Sequence, residues 1–367
     1  MLYRETGQFK NSYAADQAIF PIAQDRIAIT LLLAVLFFVV PFAASEYVFR
    51  AILLPSLILA LAAIGLNLLV GYCGQISLGQ AAFMSVGAYA AYNLSIRMPE
   101  LNLLVVFLLS GGIAAAVGVV FGVPSLRIKG FYLAVATLAA QFLIDWMFIR
   151  IKWFTNYNSS GSVSAPRLAI FGYEFDTAAE KYVLTLTIVV VMALGAKNLV
   201  RGRIGRMWMA TRDMDIAAEI IGIKPLTAKL SAFAVSSFYA GVAGALWGFI
   251  YLGAWEPAAF DINRSFLLLF MGSMLGVVLA ENLLLMMLFW ELTSLFSFLL
   301  IGYWHQNPAA REGSRMALTV TAMGGIALLV GMILAVARHL ARSGQAPPRA
   351  EPALQDGHRA APRARGR

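Results

Sequence analysis

The feature that most constrains this chain is a succession of long apolar segments separated by short polar ones. Clear examples lie at residues 27–44, 51–70, 101–123, 131–149, 182–196 and 226–252. Hydrophobic residues make up 60% of the 367 positions and charged residues 13%, so the chain has more apolar surface than one soluble core can bury. About 20 apolar residues suffice for a helix to cross a bilayer. The sequence therefore predicts an all-α, polytopic helical membrane protein with about nine to ten membrane segments.

Most of the net charge of +9 lies near the C-terminal end, beside the last apolar segment, which indicates membrane topology and not nucleic-acid binding. Residues 338–367 hold seven arginines against Glu351 and Asp356, which accounts for +5 of that charge. Basic clusters beside membrane spans mark the cytoplasmic side and attract anionic lipid. We interpret 338–367 as a basic disordered tail, with membrane lipid as its partner and no nucleic acid. Both termini are expected to be cytoplasmic.

The sequence predicts no catalytic, cofactor or metal site. Cys73 is the only cysteine, and the three histidines are scattered along the chain. A phosphate-binding G-x-x-x-x-G-K-[ST] loop does not occur in the sequence, so any ATP hydrolysis would belong to another subunit. Because nucleophiles, acids and bases do not gather on one predicted face, a membrane enzyme is the least favoured function.

The first apolar segment, 27–44, has two interpretations. One is a secretory signal peptide, because Ala43-Ala44-Ser45 resembles a cleavage site. The other is an uncleaved membrane helix that follows a cytoplasmic segment, residues 1–26. The length of that polar segment and the many later spans favour the uncleaved helix.

Basic loops give the chain an alternating topology. The turn with Arg127 and Lys129 is predicted to be cytoplasmic, and the loop 150–181 is then external. Asp145 lies near the end of its span, where we expect it to reach the interface or pair with Arg150 or Lys152.

Residues 201–225, the connecting segment, interrupt the apolar pattern with charge. Four arginines open the segment: Arg201, Arg203, Arg206 and Arg212. Asp215, Ala217, Ala218 and Glu219 then predict a short acidic helix that Gly222 ends. A short amphipathic helix presented by a membrane domain is suited to docking in a groove of a soluble partner. The alternative is a solvated loop between spans.

A glycine-punctuated bend, GYCGQISLG at 71–79, precedes a helix rich in small residues at 80–96. Small residues allow helix backbones to approach closely, which suits an element near a translocation path as well as ordinary helix packing. The sequence leaves open whether 80–96 crosses the membrane fully or is re-entrant.

Two stretches carry a family resemblance. DMDIAAEIIGI with KLSAFAVSSFYAGVAGAL, and GYCGQISLGQAAFMSVGAYAAY, resemble permeases of branched-chain amino acid ABC importers. The resemblance implies that the connecting segment is a cytoplasmic coupling segment that docks on the ATPase. Its coupling positions would be Asp215, Ala217, Ala218, Glu219 and Gly222. It also implies three kinds of partner in a bacterial inner membrane: ABC ATPase subunits, a second permease subunit, and a periplasmic or extracellular substrate-binding protein.

From about residue 271 the sequence resembles a different family. Permeases of the first family continue at this point into a glycine-rich segment. This chain instead continues with ENLLLMMLFWELTSLFSFLLIG, which is similar to the proton-channel subunits of Mrp-type cation/proton antiporters and to the large membrane subunit of respiratory complex I. The predicted join lies near 268–272. The chain is thus divided into 1–26, a permease domain 27–270, antiporter-like helices 271–337 and the tail 338–367.

Glu291 is a carboxylate within an apolar segment, so its presence needs a reason. The antiporter resemblance implies a possible remnant of a proton relay, although no lysine follows Lys229 in this chain. A neutral glutamic acid packed between helices is the alternative. An antiporter-like or respiratory-chain subunit, or a nonfunctional hybrid, are the alternatives to an importer permease.

Overall fold

The computed structural model describes residues 23–125, 132–158, 162–170, 172–279, 283–302 and 308–343. The predicted segment 1–26 is therefore described only from Ala23. The turn with Arg127 and Lys129 and residues 344–367 of the predicted tail lie outside the described residues.

The first half of the described chain is built of five helices. α1 joins Ala23–Ala34 and Val40–Ala43 through a π-helical turn, Val35–Val39. α2 joins Glu46–Val48 and Leu54–Asn67, with π-helical turns at Phe49–Leu53 and Leu68–Tyr72. The next three are α3, Gln80–Arg97; α4, Leu103–Ser125; and α5, Tyr132–Arg150.

The second half contains longer helices and the connecting segment. Its elements are α6, Ala178–Arg201; α7, Arg203–Asp213; α8, Asp215–Ile220; α9, Pro225–Leu246 with a π-helical end, Trp247–Leu252; α10, Ile262–Leu279; α11, Leu283–Gly302; and α12, Pro308–Ser343. α12 continues six residues past the predicted start of the basic tail.

Six described helices are long and apolar enough to cross a membrane. They span Arg26–Ala43, Glu46–Tyr72, Leu103–Pro124, Ala178–Arg201, Pro225–Leu252 and Arg311–Gly331. The first five coincide with apolar segments named above, and Arg311–Gly331 lies in the antiporter-like residues 271–337; together they confirm the prediction of a polytopic helical membrane protein.

The core is formed where α9 packs between α3 and α4. Glycines make this packing close: a Cβ atom added to Gly87 would overlap the Gly241 carbonyl oxygen, and one added to Gly244 would overlap that of Met84. The small residues of α3 therefore bring two helix backbones into direct contact. Most of α3, from Gln80 to Asn93, is buried inside the protein.

The chain between Gly74 and Arg97 runs from one end of the domain to the other. At one end Gly74 contacts Arg212 of the connecting segment, and at the other Arg97 Nη2 donates to Trp153 O at 3.3 Å. Residues 74–79 are not helical, and the remainder of the stretch forms α3. α3 supplies only part of this length, and it is not among the six described helices that are long and apolar enough to cross a membrane.

Four two-residue strands were not predicted from the sequence. They are β1, Val163–Ser164; β2, Ala169–Ile170; β3, Tyr173–Glu174; and β4, Ala254–Trp255. β1 pairs antiparallel with β4, with Val163 opposite Trp255, and β2 pairs with β3. The loop 150–181 is thereby fastened to the segment that follows α9.

Candidate coupling site

The connecting segment has a fixed position on the domain because α7 is anchored to α9. Trp208 is fully buried, and its Nε1 donates a hydrogen bond to Ser231 Oγ at 2.9 Å. At the start of α7 a Cβ atom on Gly205 would overlap the Val200 carbonyl oxygen, so the turn from α6 is tight. The segment is therefore a supported element and not a loose loop.

α8 forms where the sequence predicted it, over Asp215–Ile220. Gly222 follows with φ at +89°, a conformation that glycine adopts without a steric penalty. Ile223 N donates to Ala218 O at 2.9 Å and Gly222 N to Glu219 O at 3.0 Å. These two bonds form the Schellman motif, which satisfies carbonyl groups at the helix end.

The five predicted coupling positions lie together but do not share one environment. Ala218 is buried against the domain, whereas the other four positions are exposed: Asp215, Ala217, Glu219 and Gly222. Lys229 Nζ lies 3.8 Å from Asp215 Oδ2, a partly exposed pair that contributes little stability. Ala218 thus faces the anchor, and the acidic side chains face outward.

A group of exposed apolar side chains surrounds these positions, which sequence reasoning did not single out. Met214, Ile216, Ile220 and Ile221 are each at least 70% exposed. They occur in a polar segment outside the long apolar helices, so membrane lipid does not account for them. Contiguous exposed apolar groups rimmed by charges mark interaction surfaces. We call these four residues the α8 apolar face.

The connecting segment is linked to the bend 71–79 through Arg212. Its Nη1 donates to Gly71 O at 2.7 Å, and its Nη2 lies 2.9 Å from Asp213 Oδ1. Gly74, with φ at +70°, lies under the same side chain, where an added Cβ would stand 2.9 Å from Arg212 Cγ. The sequence showed the arginine and the glycines but gave no sign that they meet.

An open cleft of about 350 Å³ separates the bend from the connecting segment. Its lining residues are Cys73, Gly74, Thr211, Arg212, Asp213, Met214, Asp215 and Lys229. Two basic and two acidic side chains thus border a cleft that reaches the first residues of the bend.

The bend itself contains polar side chains without partners. Gln75 is 6% exposed and Ser77 is fully buried. Among the described residues, neither side-chain atom of the Gln75 amide nor the Ser77 hydroxyl has a hydrogen-bond partner. Leaving such groups unpaired is costly, so they indicate a functional role or bound water.

The comparisons with known proteins bear on this arrangement. The family model described as the permease component of the branched-chain amino acid transport system matches residues 48–301, which include the bend and the connecting segment. The chain belongs to this family. The LivM permease proteins of the high-affinity branched-chain amino acid transport systems of Escherichia coli K12 and Salmonella typhimurium LT2 are both 29% identical to it over 262 residues, which cover 62% of this chain.

The permease also shows the second resemblance. A family model described as NADH:quinone oxidoreductase/Mrp antiporter matches residues 280–339, so the two matches overlap at 280–301. A probable K(+)/H(+) antiporter protein of Rhizobium meliloti is 55% identical over 96 residues, 26% of this chain and 9% of that protein. The composite resemblance inferred from the sequence is thus confirmed. The chain spans 60% of the length of the LivM relatives, and no solved structure matches it.

The structure places the two acidic residues of the spans in different settings. Asp145 was expected to reach the interface or pair with Arg150 or Lys152; among the described residues it forms no ion pair, and Gln141 Nε2, one turn earlier on α5, donates to Asp145 Oδ2 at 3.1 Å. Glu291 lies on α11 against Gly325 of α12, where an added Cβ would overlap Glu291 Oε1. Among the described residues Glu291 has no ion pair.

Proposed function

We propose that this chain is a membrane permease subunit of an ABC importer for branched-chain or related apolar amino acids. ATP hydrolysis belongs to separate ATPase subunits, and an external substrate-binding protein and a second permease subunit complete the importer. The proposal also places the protein in a bacterial inner membrane, with the connecting segment and both termini on the cytoplasmic side. Family membership and the sequence pattern of the connecting segment support these assignments.

The observation that carries the proposal is the construction of the connecting segment. The acidic side chains of Asp215 and Glu219 border the α8 apolar face. The buried Trp208 of α7, bonded to Ser231, anchors the connecting segment to α9. A short helix with apolar anchors and a charged rim fits a hydrophobic groove on a soluble partner. We infer that the ATPase supplies this groove and that its movement on ATP binding displaces α8 and α7 together.

Arg212 gives this displacement a route into the membrane domain. Because it binds the Gly71 carbonyl and packs on Gly74, a shift of α7 acts directly on the bend. The bend leads into α3, whose backbone touches that of α9 at Gly87 and Gly244. ATP hydrolysis is thereby coupled to the helices that enclose the pathway, which alternate between inward and outward access.

The experiment that tests the proposal is a pulldown of the full-length, detergent-extracted protein with the candidate ATPase subunit. Glu219→Lys reverses a charge beside the α8 apolar face, and Glu100→Lys makes the same change at the exposed opposite end of the domain. We expect binding by the original protein and by Glu100→Lys, and loss of binding by Glu219→Lys. Equal binding by both variants would contradict the coupling assignment.

A second candidate function follows from the antiporter-like residues 280–339. Glu291 lies between two helices of this part, as a proton-relay carboxylate would. However, the sequence contains no lysine after Lys229 to continue such a relay. The importer therefore remains the proposed function, and a proton or cation flux that depends on Glu291 would favour the antiporter-like alternative. Failure of a well-expressed protein to bind the ATPase at all would favour a nonfunctional hybrid.

A further inference from the structure

The segment Gly74–Gly79 is not helical, although it leads into the interior of the domain, where non-helical backbone needs an explanation. It begins beside Arg212, at the end of the domain that holds the connecting segment. It ends at Gln80, whose Nε2 donates to Ser236 Oγ at 3.2 Å. Ser236 lies eleven residues into α9, about 16 Å along the helix axis at ~1.5 Å per residue. The segment thus reaches the middle of the domain without forming a helix.

Backbone of this kind is tolerated in a membrane protein only where it is buried in protein or lines a cavity. Neighbouring helices satisfy part of it: Leu78 N donates to Thr137 Oγ1 at 2.9 Å, and Ala81 N donates to Ser265 Oγ at 2.8 Å. Gly79 allows this contact, because a Cβ atom there would overlap the Thr137 carbonyl oxygen. The side chains of Gln75 and Ser77 take no part in holding the segment in place.

Gln75 differs in this respect from the other buried glutamines nearby. Gln80 is bonded to Ser236, and Gln141 donates to Phe260 O at 2.9 Å while its Oε1 accepts from Ser265. Gln75 has neither its donor nor its acceptor paired, and the hydroxyl of Ser77, two residues on, is unpaired as well. Two buried polar side chains without partners, two residues apart in the chain, indicate a binding site for a polar ligand.

The cleft beside the connecting segment lies next to this site, because Cys73 and Gly74, the residues that precede Gln75, line it. α3 begins just beyond Ser77, with Gly79 as an N-cap that provides no side-chain hydrogen bond. The partial positive charge of this helix N-terminus favours a carboxylate.

We propose that the Gly74–Gly79 segment is the site in the pathway that holds the polar end of the transported molecule, through Gln75 and Ser77. The ligand class is a small zwitterionic α-amino acid. Its carboxylate accepts hydrogen bonds from Gln75 Nε2 and the Ser77 hydroxyl, and its ammonium group donates to Gln75 Oε1. The inference rests on the proposed function, and it adds the place where this chain contacts the substrate. Interrupted helices bind the charged ends of substrates in other transporters.

The test uses the complete importer in proteoliposomes, with radiolabelled leucine and the substrate-binding protein. Leucine moved per ATP hydrolysed is compared for the original protein, Gln75→Leu and Ser77→Ala. Ser110→Ala is the matched control, because Ser110 is equally buried but donates to Phe107 O within its own helix. We expect the ratio to fall about tenfold in Gln75→Leu, the effect of one or two lost hydrogen bonds, with a smaller fall in Ser77→Ala and no change in the control.

Assembly provides the second readout. Neither substitution removes a hydrogen bond from the empty protein, so both variants should assemble and unfold thermally like the original. An unchanged ratio of leucine to ATP in both variants would overturn the site, and loss of assembly in both would show that the side chains are structural instead. Absence of leucine uptake by the original importer would instead refute the proposed function, and this site with it.

Discussion

Arg212 and Gly71, 141 positions apart in the chain, are joined by a hydrogen bond of 2.7 Å from the guanidinium Nη1 to the carbonyl oxygen. The acceptor lies in the π-helical turn at the end of α2, and the donor closes α7. Asp213 engages the same guanidinium from the other side. This bond joins the connecting segment directly to the bend 71–79.

Removal of this bond should uncouple the importer without releasing the ATPase. In Arg212→Met the α8 apolar face remains, but the bend loses a charge-assisted hydrogen bond of the kind that contributes about 1.5–3 kcal/mol. We expect ATPase binding in the pulldown within about twofold of the original and leucine uptake at least tenfold lower. Arg206→Met is the control, since within the described part of the chain the Arg206 guanidinium bonds to the nearby Arg201 O and not to the bend. Equal uptake by the two variants would refute the link.

Gly74→Ala tests the contact beneath Arg212. The substitution carries two penalties: a positive φ of +70° and a Cβ atom 2.9 Å from Arg212 Cγ. Gly172→Ala carries only the first, because φ there is +81° and nothing lies within 4 Å of its Cβ. We expect both to lose about 1 kcal/mol of stability, as strained left-handed backbone does, while only Gly74→Ala lowers uptake. Uptake measurements alongside thermal unfolding in detergent separate the two effects.

The contact between α3 and α9 should tolerate no side chain. Gly244→Ala places a Cβ atom on the Met84 carbonyl oxygen, so the helices must separate, and overpacking of this kind costs about 1–3 kcal/mol. Gly331→Ala on α12 meets nothing within 4 Å and should be neutral or slightly stabilising, because alanine is the better helix former. The midpoint of thermal unfolding in detergent should fall for the first variant only.

The α8 apolar face should supply most of the affinity for the ATPase. Ile220 is 82% exposed, and its burial in a groove would contribute about 1.5–3 kcal/mol, which corresponds to a change in Kd of roughly tenfold to a hundredfold. Ile220→Ser should weaken binding by that factor. Met98→Ser, an exposed position at the opposite end of the domain, should have no effect. Titration of the purified variants with the ATPase subunit gives both constants.

Glu291→Gln tests whether the antiporter-like residues 280–339 contribute to the activity of the protein. The glutamine keeps the shape of the side chain against Gly325 but cannot release a proton. For an importer permease we expect leucine uptake within about twofold of the original, since the carboxylate lies outside the proposed route. Loss of a proton-coupled cation flux in vesicles containing the variant would show instead that residues 280–339 translocate ions.

The sequence predicted those parts of the structure that depend on local pattern. Apolar runs located five of the six long spans, and helix formers ending at Gly222 located α8 within one or two residues. Both signals lie within a few turns of chain, where periodicity and capping act directly. The coupling role of α8 stays a prediction.

Contacts between distant parts of the chain had no such signal. Nothing near Val163 indicates its pairing with Trp255, and nothing near Arg212 indicates that it meets Gly71. For Asp145 the sequence suggested the interface or a charged partner, Arg150 or Lys152, but Gln141, four residues away on the same helix face, donates to it. The isolation of Gln75 and Ser77 emerged only from the packing of several helices around them.

The glycine contacts between α3 and α9 make these two helices a closely packed pair. No side chain separates the two backbones at Gly87 and Gly244, so we expect the helices to move as one rigid unit. We therefore expect a displacement of Pro225, where α9 leaves the connecting segment, to move α3 together with α9. The change in backbone angles that such a movement requires would then fall on the non-helical residues 74–79, which precede α3.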